Sequence, residues 1–144
     1  AAAEIAVRDI DRRYAYLKSL KDKFLRELPQ YLDEVIINTH PVHSLPHLVS
    51  ASVKYIEGES VMLMLDDEGI GVSTRSACAT GSLRASHVLL SIGLSHADAQ
   101  GTLVIAFGVD NTAEDVDRFL KSLKTVVTTL RDISPLYKKA AGNG

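Results

Sequence analysis

Apolar residues recur at Ile10, Tyr14, Leu17, Leu20, Phe24 and Leu28. Their spacings of three and four form one stripe on a helix, predicted over residues 3–28 and closed by Pro29. Val35-Ile36-Ile37 is short and β-branched and predicts a strand. Val49, Ala51, Val53 and Tyr55 alternate with Ser50, Ser52 and Lys54, which is the period of a strand with one buried face. Gly58-Glu59-Ser60 opens a short, mostly buried helix over Val61, Met62, Leu63, Met64 and Leu65 that ends by Gly69. Residues 70–73 fit a brief strand. Residues 84–93 fit a short helix with Val88, Leu89 and Ile92 turned inward, and residues 103–107 a further strand. Thr112 and Asp115 have the spacing of a capping box. They open the cleanest amphipathic stretch of the chain, with Val116, Phe119, Leu120, Leu123, Val126, Val127, Leu130 and Ile133 on one face and Pro135 at its end.

The predicted order is helix, strand, strand, helix, strand, loop, helix, strand, helix. Two long helices bracketing a small sheet imply an α+β fold with the helices on one face, in a single domain over residues 1–144. Hydrophobic residues make up 46% of the chain and charged residues 24%, enough apolar material for an ordinary core. A formal charge of −2 argues against a nucleic-acid footprint. No apolar run is long enough to span a membrane, and the N-terminus has no signal-peptide pattern. The chain begins with Ala1 rather than Met, as expected of a processed product or a fragment.

One thiol, Cys78, stands out against this background. After Val72 the bulky residues stop, and small or polar ones run through Ser73-Thr74-Arg75-Ser76-Ala77-Cys78-Ala79-Thr80-Gly81-Ser82, with Arg75 the only large side chain. Such a segment cannot build a core and reads as a loop, over about residues 73–85. A lone cysteine is commonly a small buried hydrophobe. On a loop, without a partner in the chain, it is free to act as a nucleophile or sulfur carrier. With no second cysteine and no export signal, the expected compartment is the reducing cytoplasm.

Other candidates carry less. His40, His43 and His47 share a loop with Pro41 and Pro46, but no cysteine or carboxylate stands at matching spacing, so no metal site is expected. His87 reads as a half-exposed helix residue, and Asp66-Asp67-Glu68 as a solvated turn.

Several separated motifs then appear in one order: Tyr55-Ile56-Glu57-Gly58-Glu59-Ser60, Ser73-Thr74-Arg75-Ser76-Ala77-Cys78, Ser86-His87-Val88-Leu89 with Ile92-Gly93-Leu94, and Leu130-Arg131-Asp132-Ile133-Ser134-Pro135-Leu136. Together they resemble the C-terminal small domain of cysteine desulfurases of the NifS/IscS type, in the aminotransferase class V family. The resemblance implies a pyridoxal-phosphate enzyme that converts cysteine to alanine. It holds the released sulfur as a persulfide on a loop cysteine, here Cys78, and passes it to acceptors such as iron–sulfur scaffolds. It also implies a larger cofactor-bearing domain or chain as partner.

Two departures qualify what the resemblance implies. The family's aldimine lysine directly follows a histidine. None of Lys18, Lys21, Lys23, Lys54, Lys121, Lys124, Lys138 and Lys139 does so, and most read as solubilising residues on helix faces. The chain alone is therefore expected to bind no cofactor and to be inactive by itself. The family's carboxylate-binding arginine falls on Val104, which cannot form the bidentate pair. Arg75 and Arg84 are the remaining candidates for that role. A non-enzymatic persulfide carrier or protein-interaction module is the alternative function.

Overall fold

The structure, a computed structural model, describes residues 2–74 and 85–141. Helix α1 (Ala2–Tyr31) leads into strand β1 (Val35–Ile37) and strand β2 (Leu48–Val53). Helix α2 (Gly58–Asp67), two short helices α3 (His87–Ser91) and α4 (His96–Gln100), strand β3 (Thr102–Ala106), helix α5 (Ala113–Ile133) and helix α6 (Pro135–Ala141) follow. The strands form an antiparallel sheet in the order β1-β2-β3, with Val35 opposite Val53, and Ser50 opposite Val104. The α+β expectation is met.

The core lies on one face of this sheet. Val49, Ala51 and Val53 of β2 and Leu103 and Ile105 of β3 pack there against Leu20, Phe24 and Leu28 of α1 and the buried stripe of α5. Phe24 stacks on Phe119 with centroids 5.6 Å apart and meets Phe107 at 6.0 Å. Helices α1 and α5 run parallel: Tyr16 bonds to Asn111, Lys23 pairs with Asp117, and Asp33 pairs with Arg131. The capping box is formed as expected, with Thr112 Oγ1 accepting from Asp115 N and Asp115 Oδ2 accepting from Thr112 N.

Several sequence expectations need correction. Helix α1 runs past Pro29 to Tyr31, because Leu28 and Leu32 are both buried and Leu32 N still reaches Leu28 O at 3.0 Å. Ile10 and Tyr14 are exposed, since α5 begins only at Ala113, beside the middle of α1. Strand β2 stops at Val53, and Tyr55 leaves the pattern with a φ of 69°. In α2 only Val61 and Leu65 of the apolar run are buried, while Leu63 faces solvent. In α3 Leu89 is buried, but Val88 and Ile92 are exposed, because a helix of one turn offers a single inward position. The expected 70–73 strand reduces to one antiparallel bridge, Ser73 to Val104. Pro135 lies just past the end of α5 at Ile133, as expected, and itself opens α6, where a missing N–H costs nothing.

Two close approaches fix the middle of the fold. At Gly101 an added Cβ would lie 2.0 Å from Val53 O, and at Gly58 it would lie 2.8 Å from Thr102 O. Val53 N in turn donates to Gly101 O at 2.9 Å. The backbones of β2, α2 and the α4–β3 turn thus meet where only a hydrogen fits.

Candidate functional site

Because side chains alternate along a strand, the residues between the core positions of β2 and β3 face the other way. That second face carries Ser50, Ser52, Thr102 and Val104, joined by Asn38 just beyond β1. Asn38 Nδ2 donates to Ser50 Oγ at 3.2 Å and to Ser52 Oγ at 2.9 Å. Ser52 Oγ and Thr102 Oγ1 are 2.5 Å apart, in a pair where either hydroxyl can donate, and both residues are buried. Asn38 Oδ1 is buried with no hydrogen-bond partner among the described residues. Buried polar atoms are nearly always satisfied, and Asn38 Oδ1 is the exception in an otherwise hydrogen-bonded row. Sequence reading missed it, although the alternation of Ser50 and Ser52 with the core residues was its signal.

Val104 stands on the same face, directly opposite Ser50. Its backbone also pins the incoming end of the cysteine segment: Ser73 N donates to Val104 O at 3.1 Å and Val104 N to Ser73 O at 2.6 Å. The segment returns to described structure just before α3, whose N-cap is Ser86. Cys78, Arg75 and Arg84 lie between these anchors and fall outside the described residues. The structure therefore brings Val104 and the stem of the 73–85 segment together on the polar face. His87 is exposed at the start of α3.

The histidine loop forms a local turn. His40 Nδ1 accepts from Val42 N at 3.1 Å and His43 N at 2.8 Å, and the His40 and His43 rings lie 4.9 Å apart. Among the described residues, no three histidine, cysteine or carboxylate side chains converge on a metal position. Nor is any helix among them long and apolar enough to cross a membrane.

A cofactor carried as an aldimine needs a lysine in a cleft. Lys18 pairs with Asp22, Lys23 with Glu27 and Asp117, and Lys54 with Glu34. Lys121, Lys124 and Lys138 are exposed. Lys21 corrects the view of these lysines as solubilising, because it is buried and burial pushes its pKa down. Yet its Nζ is committed, donating to Ser44 Oγ at 2.7 Å and Leu45 O at 2.9 Å to hold the 38–47 loop. The clefts beside Tyr55 and beside Phe119 are lined by no lysine. Among the described residues, no lysine stands in either cleft to carry an aldimine.

Arg131, which the sequence shows only as part of a motif, is a structural clasp. Its guanidinium donates to Asp33 Oδ1 at 2.6 Å and Asp33 O at 3.0 Å, and lies 5.2 Å from the centre of the Tyr137 ring.

Comparison with known proteins adds a family. The profile of the aminotransferase class-V family matches residues 1–119. The chain is 43% identical over 138 residues to cysteine desulfurase IscS 1 of Archaeoglobus fulgidus, covering 96% of this chain and 36% of that protein. It is 39% identical to cysteine desulfurase IscS of Methanosarcina thermophila, covering 96% of this chain and 34% of that one. A solved structure of a NifS-like protein superposes with a TM-score of 0.74 at 31% identity, over 88% of this chain and 31% of the other. The chain thus spans about a third of the length of the relatives it matches.

Proposed function

The chain belongs to the aminotransferase class-V family, and on that premise we propose that these residues are the small-domain part of a cysteine desulfurase. Cys78 is its sulfur-accepting nucleophile. The observation that carries this reading is likeness to cysteine desulfurases over 96% of the chain, joined to a single thiol in the segment that leaves the sheet at the Ser73–Val104 bridge.

The chemistry asked of Cys78 is nucleophilic. In the parent enzyme its thiolate would attack Sγ of the substrate cysteine, the S–S bond forming as the Cβ–Sγ bond breaks. The electron pair would stay on the carbon side, to be taken up by the cofactor held in the other domain. From a persulfide donor the same attack releases the donor's thiolate with the electron pair of the broken S–S bond. The product is a persulfide on Cys78, which an acceptor thiolate attacks in the same way. Arg75, three residues before Cys78, favours the thiolate by its charge. The acceptor is a protein of the iron–sulfur scaffold class, and the compartment is the cytoplasm.

The cofactor belongs to a separate domain or chain, so this part is inactive alone. The apolar stripe of α1 supports such a partner. It continues outward from Leu17 through Tyr14 and Ile10 to Val7, all three exposed, and gives a large domain something to cover. Val104 favours a second reading, a persulfide carrier without desulfurase turnover, because valine on the polar face cannot hold a substrate carboxylate.

Thiol labelling tests the shared element of both readings. Cys78 should react with a thiol reagent in the native protein about as fast as a free peptide cysteine, and Cys78→Ser should melt nearly where the parent does. A thiol silent until denaturant is added, with a destabilised serine variant, marks a core cysteine and ends the proposal.

A further inference from the structure

A cleft of about 460 Å³ opens where the 55–60 turn, α4 and the junction of α5 and α6 meet. Ile56, Leu130, Pro135 and Leu136 give it an apolar wall, and its charged lining residues are Glu57 and Asp98. Glu57 occupies the N-cap position of α2, yet its side chain makes no capping bond. Asp98 Oδ2 accepts from Ser95 Oγ at 2.7 Å, a neutral donor. Of the cations near it, Lys54 pairs with Glu34 at 2.7 Å while still feeling the charge of Asp98, and Arg131 pairs with Asp33 at 2.6 Å. Among the described residues, the lining thus presents carboxylates beside apolar surface and includes no cation.

The rim is firmly built. Tyr55 has a φ of 69°, in the left-handed region that a non-glycine residue rarely adopts, and its carbonyl is held by Ser134 Oγ at 2.8 Å. The wall also adjoins the cysteine segment, because a Cβ on Gly58, next to Glu57, would lie 3.3 Å from Thr74 Cγ2.

We propose that this cleft docks a segment of a partner protein carrying lysine or arginine beside apolar residues. The apolar side chains cover Leu130 and Leu136, and the cation faces Glu57 and Asp98. That the partner is the sulfur acceptor rests on the function proposed above; the docking itself does not.

The test is fluorescence anisotropy with a short fluorescein-labelled peptide of alternating leucine and lysine, and its leucine–glutamate counterpart. The lysine peptide should bind and the glutamate peptide should not. Glu57→Gln combined with Asp98→Asn should weaken binding by about fivefold, as two partly exposed charge pairs allow. Leu136→Ser should weaken it too, while Asp66→Asn, outside the cleft, should leave it unchanged. Equal binding of both peptides, or of parent and double variant, overturns the proposal. So does a parent that binds neither peptide but self-associates in sedimentation until Leu136 is replaced, since the occupant is then a second copy. Peptide binding by Cys78→Ser at parental strength upholds the docking even if sulfur uptake fails. Sulfur uptake without peptide binding overturns the docking alone.

Discussion

Val104 shows how much a single position in this fold can be reasoned about. Its neighbours Leu103 and Ile105 are in the core, while Val104 faces the polar row opposite Ser50. A long cation there can lie along the sheet and reach water, so Val104→Arg should cost about 1 kcal/mol or less in a denaturant melt. Leu103→Arg, one residue away, buries an unpaired charge and should abolish the cooperative transition. Similar losses in the two variants would show that the faces are assigned wrongly. Gly101 is the opposite case, since any Cβ collides with Val53 O; Gly101→Ala should destabilise by at least about 2 kcal/mol, and a neutral result would refute that contact. Such positions differ in legibility. The alternation of β2 displays its own two faces, whereas the burial of Lys21 depends on a loop more than twenty residues away and leaves no trace in local pattern.

Among the elements, α5 was the most legible and behaves accordingly. Its capping box and buried stripe coincide with the sequence pattern until Ile133, which is exposed where the helix leaves the core. Leu123→Ala should therefore cost about 2–5 kcal/mol, and Ile133→Ala almost nothing, in the same denaturant series. Helix α1 is less legible. An apolar stripe reveals a helix but not where its partner begins, so the exposure of Ile10 and Tyr14 became visible only once α5 was placed beside it. The two helices are clasped by Lys23 with Asp117 and Glu27. The Lys23 hydrogen bond holds the Asp117 carboxyl below its ordinary range, and the bond to Asp117, followed by that to Glu27, raises the Lys23 pKa. The carboxyl's contribution is present above the ordinary carboxylate range and lost as pH falls through its lowered value. The lysine's is present below the ordinary lysine range and lost as pH rises through its raised value. Asp117→Asn should flatten the acid limb of the melting-temperature profile; an unchanged profile would mean that the clasp adds nothing in solution.

The whole molecule is a small antiparallel sheet with both long helices on one face and a polar row on the other. The order of most elements and the side of the sheet taken by the helices follow from periodicity. The joining of Asn38 and Thr102 to the β2 serines, the Arg131 clasp and the cleft beside Tyr55 do not, because each is assembled from segments far apart in the chain. Since the described lysines offer no place for an aldimine, titration with pyridoxal phosphate should give no saturable absorbance band at one equivalent; such a band, lost on replacing one lysine, would contradict this. The central claim is that Cys78 carries sulfur on an intact fold. Intact-mass measurement after incubation with an active desulfurase and cysteine tests it most directly. The account predicts a gain of one sulfur atom that is removed by reductant, absent from Cys78→Ser, and acquired without loss of the cooperative melt. A native chain that gains no sulfur, or one that gains it equally in the serine variant, would contradict it.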